Sequence, residues 1–371
     1  MLVKMKDICT KVGSGATPKG GNNAYIKTGI TLIRSQNIHD FYFSHDGLAH
    51  INDEQAAKLN GVRLEEDDVL LNITGDSVAR ACKVDNSVLP ARVNQHVCIV
   101  RGDKRKVLSS YVLYYLQMKK PELLMMASSG ATRNALTKGM IEELELDLPS
   151  LQEQKKIVSL LDDIQCKILN NNRINRNLSE QAFALFKEMF PNVNQGEHTL
   201  GEYLSAVKGK ALLSKDAVEG DVPVIAGGLS PATYHNVANT KAPVLTISAS
   251  GANAGYVALW NVDVWSSDSS YIDSNMTENV YFWYVMLKTR QKEIFDAHTG
   301  SVQPHIYPKN IDDLSVAELD RKIVTDYTMQ VSPLFELIGK NIKENERLII
   351  LRDSLLPKLM SGDLNVSNLY I

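Results

Sequence analysis

The chain has 371 residues, of which 44% are apolar and 22% charged, with a net charge of −3. That length suits two or three domains with real cores. No run of about 18 apolar residues could span a membrane, and the slight acidity means that any nucleic-acid surface must be local. The start, MLVKMKDI, lacks a signal-peptide apolar core. The four cysteines (Cys9, Cys82, Cys98, Cys166) are scattered, with no CxxC. They predict buried thiols in a reducing cytoplasm rather than disulfides or zinc.

The first half opens with strands and loops. Thr31–Ile38, Val69–Thr74, Ala81–Val84 and Val97–Val100 are strand-like. Tyr111–Met126 predicts an amphipathic helix, Ser128–Asn134 a loop, and Ile141–Pro149 a strand. Leu151–Phe190 then predicts a long helix. Alternating steps of four and three residues give Ile157, Leu161, Ile164, Ile168, Asn171, Asn175, Leu178, Ala182, Leu185 and Met189 on one face. This is a heptad seam for a lengthwise helix partner.

The second half repeats the order. Val222–Ile225, Val244–Ser248 and Tyr256–Leu259 are strand-like. Val280–Phe295 predicts a helix, His298–His305 a loop, and Ile311–Val316 a strand. Adding 170 to the seam gives Tyr327, Val331, Leu334, Ile338, Asn341, Asn345, Leu348, Arg352, Leu355 and Leu359. Gly130 with Gly300 and Ile141 with Ile311 share that offset, so the chain reads as a duplication. The partner helix is therefore in the same chain. An antiparallel pair centred near Arg173 and Lys343 places Asn171 opposite Asn345 and Asn175 opposite Asn341. Buried asparagines can fix register. Ser332-Pro333 fits either a helix start or a kink.

Catalytic signatures are missing. No Pro-Pro occurs for a methyltransferase loop and no GxxxxGK[ST] for an NTPase. GSGATPKGG (Gly13–Gly21) has Pro18 where a P-loop helix would start, and the eight His show no HExxH spacing. Glu65-Glu66-Asp67-Asp68 suits a solvated turn. The pattern fits a non-catalytic protein with two binding heads. A two-fold reader suits a split ligand, of which DNA is the commonest. Loop residues with base-reading chemistry in the first head are Arg34, Ser35, Gln36, Asn37, Asn72, Thr74, Ser77, Arg80, Asn94, Gln95, His96, Ser129, Thr132, Arg133 and Asn134, with Thr17 and Lys19 upstream. In the second head they are Lys208, Lys210, Ser248, Ser250, Asn253, Ser267, Ser269, Thr299, Ser301, Gln303 and His305. Arg favours guanine, Asn and Gln favour adenine, and Ser or Thr bind bases or phosphates. An ordinary polar turn accounts for any one of these loops equally well. Arg101, Lys104, Arg105 and Lys106 form a basic cluster that could touch phosphates.

The chain resembles the specificity subunit of type I restriction–modification systems over essentially its full length. GSGATPKGG, DDVLLNITGDSVARA, VNQHVCIVR, SSGATRNALTKGMIEELELDLPSLQEQKKI, ALFKEMF and SLLPKLMSGDL carry the match. The junction Leu148-Pro149-Ser150-Leu151-Gln152-Glu153-Gln154-Lys155-Lys156-Ile157 is the most specific. Its second copy, Ala317–Ile323, lacks the Pro and the Glu-Gln pair, and Val207-Lys208-Gly209-Lys210 lacks the Thr-Pro pair.

The resemblance implies an α/β (mixed α+β) chain in which two target recognition domains, residues 1–150 and 191–320, are separated by two long antiparallel coiled-coil helices, residues 151–190 and 321–365. Each domain would read half of a bipartite site on double-stranded DNA. The helices would set the spacing and dock two modification (methyltransferase) subunits. Restriction (translocase/nuclease) subunits would complete the complex. The chain itself would carry no cofactor; S-adenosylmethionine, ATP and Mg would belong to partner subunits. A cytoplasmic protein follows, without catalysis of its own. From the residues, Phe183, Phe186 and Phe190 form a second apolar stripe that could face a recognition domain or a modification subunit. A coiled-coil adaptor with protein- or glycan-binding heads is the alternative.

Overall fold

The computed structural model describes residues 2–128, 134–298 and 304–366. The chain forms two compact units, residues 1–168 with 347–371 and residues 169–346. Each long helix contributes one part to each unit.

Both units contain the same three sheets. In the first, a four-stranded antiparallel sheet runs Cys9–Ser14, Val97–Gly102, Val69–Asn72, Ala81–Lys83. A three-stranded sheet runs Ala49–Ile51, Ile30–Ile33, Ala91–Val93, the last pair parallel. Leu2–Lys4 pairs with Glu145–Asp147. The second unit repeats this with Val207–Lys208, Ser269–Asp273, Val244–Ser248, Val257–Trp260; then Thr233–His235, Val222–Ile225, Trp265–Ser266; then His198–Thr199 with Ser315–Val316.

The apolar run of Val69–Asn72 has a simple cause. Successive strand side chains face opposite ways, and here both faces are covered. Val69 and Leu71 join Tyr111, Val112 and Leu116 of the helix Ser109–Met118. Leu70 joins Ile33 and Val93 of the smaller sheet. In the second unit Leu245 and Ile247 meet Phe282 and Val285, while Val244 meets Ile225. Each fully buried apolar side chain contributes about 1.5–3 kcal/mol.

The first long helix is Leu151–Met189 and the second Arg321–Met360. Ser150 and Glu153 cap the first reciprocally: Ser150 N donates to Glu153 Oε2 (2.9 Å) and Glu153 N to Ser150 Oγ (3.3 Å). Gln154 is fully buried. It accepts from Leu108 N and donates to Lys106 O and Pro149 O, pinning the helix start to the preceding loop. That explains the Ser-x-x-Glu-Gln of the junction. The second helix starts instead on Asp320, whose Oδ1 accepts from Lys322 N (2.7 Å).

The helices run antiparallel within each unit. In the first, Ile157 and Leu161 share a core with Leu356 and Leu359, and Arg352 Nη1 donates to Gln165 Oε1 (2.7 Å). In the second, Asn171 Nδ2 donates to Asn345 Oδ1 (2.9 Å) and Asn341 Nδ2 to Asn175 Oδ1 (2.8 Å). Asn345 Nδ2 also reaches Asn172 Oδ1 (2.8 Å), so the polar layer is wider than two matched pairs.

Several expectations need correction. The helices expected at Tyr111–Met126 and Val280–Phe295 are each two, Ser109–Met118 with Lys120–Ser128 and Val280–Thr289 with Gln291–Asp296. The strands expected at Ile141–Pro149 and Ile311–Val316 begin as helical turns, Lys138–Glu142 and Pro308–Asp312, and only Glu145–Asp147 and Ser315–Val316 are extended. Thr137 caps the first turn through Met140 N. Pro333 lies inside an unbroken helix, which rules out a start there; Ser332 Oγ donates back to Thr328 O (2.7 Å). Cys166 is exposed and Cys9 half-buried, so only Cys82 and Cys98 are fully buried thiols. Phe186 is buried against Phe190, Phe282 and Tyr327 in the second unit, with Phe183 edge-on to Tyr284. The stripe is core, leaving Phe186 no face for a modification subunit.

Candidate nucleic-acid interface

In the first unit five loops meet at one end of the four-stranded sheet, and backbone hydrogen bonds weld them. Gly15 N donates to Val97 O, Ala16 N to Val93 O, Asn94 N to Ile33 O, and Ile73 N to His96 O. Gly75 N donates to Asn134 O, Leu136 N to Ile73 O, and Ala79 N to Asn72 O.

The second unit repeats all of these bonds. Gly209 N donates to Ser269 O, Lys210 N to Ser266 O, Ser267 N to Ile225 O, and Ala249 N to Asp268 O. Gly251 N donates to Pro304 O, Ile306 N to Ala249 O, and Gly255 N to Ser248 O. The bonds thus pair Gly15 with Gly209, Thr74 with Ser250, His96 with Asp268, Ala79 with Gly255 and Asn134 with Pro304. Two glycine pairs are demanded by geometry. A Cβ at Gly15 would overlap the carbonyl oxygens of Val93 and Asn94, and one at Gly209 would press on Ser266 O at 2.5 Å. Gly75 and Gly251 take φ of +77° and +80°, which costs glycine nothing.

The candidate residues separate on this frame. Thr74 Oγ1 hydrogen-bonds His96 Nδ1 (2.6 Å), and its backbone bridges Ala135. Ser77 Oγ accepts from Asn72 Nδ2 (3.0 Å), whose amide also donates to Ser35 O (2.9 Å). Arg80 is half-buried on the same turn; Gln36, Thr17, Lys19 and Asn134 are exposed. Asn37 has to be withdrawn as a base reader. It is fully buried, and its amide holds the backbone of Arg34, Ser44 and Asp46. Asn72 and Asn94 are likewise buried as loop braces.

In the second unit Ser250 bridges His305 through the backbone, and its hydroxyl donates to Asp268 Oδ2. Asn253 Nδ2 reaches Gly227 O at 3.4 Å. Lys208 is exposed, and Lys210 Nζ sits 5.9 Å from the Trp265 ring centroid. His305 stacks on Tyr307. Ser129, Thr132, Arg133, Thr299, Ser301 and Gln303 lie outside the described residues. Asp268 and Trp265 were not legible as site residues. One residue fewer between Ser266 and Ser269 than between Val93 and Val97 hides the correspondence until the ladders are seen.

Each member of the basic cluster has a partner within the first unit. Arg101 grips the fully buried Asp68 with Nε (2.7 Å) and Nη2 (2.8 Å), and Glu65 with Nη1. Lys104 pairs with Asp67, Arg105 with Asp103, and Lys106 Nζ donates to Asp7 O. The Arg105 guanidinium holds the Asp103 carboxyl down at about 2. Arg101 is drawn into the fold by its grip on Asp68, whereas Lys104, Arg105 and Lys106 stay exposed; the acidic turn is counter-charge to Arg101 and Lys104, and its Glu65 and Glu66 are exposed. Burial pushes the Cys9, Cys82 and Cys98 thiols up to about 12, so none is a nucleophile near neutrality. Among the described residues no group of three or more His, Cys, Asp and Glu could hold a metal ion. Among the described residues no helix is long and apolar enough to cross a membrane.

Two welded loop clusters on a duplicated frame define a two-headed recognition protein. Residues 1–180 match the family model described as the type I restriction modification DNA specificity domain. The chain is 24% identical over 420 aligned positions to the type I restriction enzyme MjaIX specificity subunit of Methanocaldococcus jannaschii, covering 99% of this chain and 94% of that one. It is 24% identical to the type I restriction enzyme HindI specificity subunit of Haemophilus influenzae over 59% of this chain and 48% of that one. The crystal structure of a type I restriction–modification system S subunit from M. genitalium has the same fold, with a TM-score of 0.61 at 17% identity, covering 97% of this chain and 96% of that one. The chain thus carries this DNA specificity domain at residues 1–180 and is similar over essentially its full length to type I restriction–modification specificity subunits, the non-catalytic components of those complexes.

Proposed function

We propose that each unit reads one half of a bipartite site on double-stranded DNA through its five-loop cluster. One observation carries this: the two clusters share a backbone lattice but present different side chains, as two readers of different half-sites require. Thr17, Lys19, Ser35, Gln36, Thr74, Ser77, Arg80 and Asn134 are the reading set of the first unit. Lys208, Lys210, Ser250, Asn253 and His305 are that of the second. Contacts to phosphates position such loops, and contacts to base edges specify.

Residues 1–150 and 191–320 serve as the recognition domains, and residues 151–190 and 321–365 as the spacer. Two modification subunits dock on the helices, where Ile174, Leu337 and Ile342 in one unit and Ile349, Ile350 and Leu351 in the other are exposed apolar side chains. Restriction subunits complete the assembly in the cytoplasm. S-adenosylmethionine is held by the modification subunits, and ATP and Mg by the restriction subunits.

The test is selection of a random duplex library by the full chain co-expressed with its modification subunit. Two short specific half-sites at fixed separation are expected. Insertion of one heptad into both helices lengthens that separation. Enrichment of no sequence, together with capture of a protein or glycan instead, would return the chain to the adaptor reading.

A further inference from the structure

The lattice places His96 and Asp268 at one and the same position in the two clusters. Each backbone carbonyl accepts from the residue after the central strand, Ile73 and Ala249. Each side chain is held by the next hydroxyl along, Thr74 Oγ1 on His96 Nδ1 and Ser250 Oγ on Asp268 Oδ2. Asp268 is exposed. An exposed carboxylate on a face that approaches phosphates is repelled by them. It belongs there only if it meets a hydrogen-bond donor, and on duplex DNA the donors in the major groove are the exocyclic amino groups of cytosine and adenine. The Ser250 hydroxyl fixes the rotamer before DNA arrives, which is how a precise reader is built.

We infer that Asp268 is a specificity-determining residue of the second unit, accepting a hydrogen bond from a cytosine N4 or adenine N6 amino group, and that His96 reads the matching base of the other half-site. This rests on the DNA-reading function proposed above. Oδ2 is engaged by Ser250 and Oδ1 faces the base. The imidazole of His96 is held at Nδ1 by Thr74, and its Nε2 accepts a long bond from Gln95 Nε2 (3.4 Å) that a base donor would replace. One position thus carries an acceptor-only group in one half-site reader and a ring nitrogen in the other.

The experiment is random-duplex selection with the complex of the full chain and its modification subunit, comparing wild type with Asp268→Asn, Ser250→Ala and His96→Ala. Asp268→Asn keeps size and the bond from Ser250 but turns an acceptor into a donor. It is expected to lose roughly tenfold or more discrimination at one base of one half-site, with the other half-site untouched. Ser250→Ala should blur that same base by a smaller factor, and His96→Ala should act only on the other half-site. Unchanged motifs in all variants would overturn the inference while leaving DNA reading intact, as would a uniform affinity gain for every sequence with Asp268→Asn. A wild-type complex that enriches no motif would overturn the DNA-reading function and this inference with it. Thermal unfolding of each variant keeps a folding defect from passing as lost specificity.

Discussion

The two loop clusters are one backbone solution furnished twice. Where the first unit has Arg101 bridging to buried Asp68, the strand ladder of the second puts Asp273 opposite Val244. Asp273 is satisfied by backbone amides instead, Lys241 N on Oδ2 (2.8 Å) and Asn275 N on Oδ1 (3.1 Å). Ala79 takes the left-handed backbone (φ +66°) that Gly255 takes in the other unit (φ +90°), although only glycine does so freely. The main-chain bonds persist because they close the end of the sheet, and every buried N–H must find an acceptor. Side chains at the same positions were free to take opposite charge. Frame and reading surface are therefore separable, and each contrast can be broken alone.

The largest effect is expected in the cores beneath the helices. Along the helix repeat, Phe186 of the second unit stands where Leu356 stands in the first, and both are buried. Phe186→Ala removes contacts with Phe190, Phe282 and Tyr327 and should cost about 4 kcal/mol; Leu356→Ala should cost about 3 kcal/mol. Denaturant unfolding checks both. Wild-type stability of Phe186→Ala, combined with lost binding of the modification subunit, would move that ring from core to interface.

Charge comes next. Arg101→Ala strands a fully buried carboxylate. The loss should sit near the lower end of about 3–5 kcal/mol, because the guanidinium is only partly buried. Asp273→Ala leaves two amide donors unmet and should cost about 2 kcal/mol. If Arg101→Ala proves the milder of the two, the ion pair is not the stronger brace.

Much of this frame was legible from apolar spacing. The heptad seam is a period-3.5 signal spread over ten positions, so single exceptions cannot hide it. Its members Ile157, Leu161, Ile168, Tyr327 and Val331 are all buried. The 170-residue offset was legible only where loop lengths agree, from Gly130 onwards. Upstream the correspondence shifts to 176 at Thr74 and Ser250 and to 194 at Gly15 and Gly209, because loops of different length intervene. Short strands such as Glu145–Asp147 carry too few residues to betray their boundaries, and the helical turns before them are too short to show a helical period. In the site, Thr74 and Ser250 stand out by following similar apolar strands. Asn37 misled because a polar residue in a loop is indistinguishable by type from one buried to brace it.

The asparagine layer is a smaller test. In the second unit the seam holds Asn171 to Asn345 and Asn341 to Asn175; in the first its polar contact is Arg352 with Gln165. Asn171→Ala should cost about 1 kcal/mol. Leucine at both Asn171 and Asn345 should raise the unfolding midpoint while loosening register. Disulfide trapping of cysteine pairs placed one helical turn out of register would detect the slip, and unchanged trapping would assign register to the apolar positions instead.

The smallest expected effect is a pH dependence confined to one unit. Gln117 Nε2 donates to Ala81 O (2.7 Å) in the first unit, and Lys288 Nζ donates to the matching Val257 O (2.7 Å) in the second, 3.9 Å from the Tyr256 ring centroid. Burial lowers the Lys288 ammonium from 10.5 to about 8. Below pH 8 both the folded and unfolded chains hold this proton, and the burial cost is constant. Between about pH 8 and 10.5 the folded state has released it while the unfolded state still binds it, so stability rises with pH across that window. At a half-exposed site the gain should be about 1 kcal/mol. Unfolding midpoints followed from pH 7 to 10.5 should climb for the second unit and flatten in Lys288→Gln, which copies the first unit's donor. A climb that survives Lys288→Gln would place the titrating group elsewhere and leave the two donors equivalent.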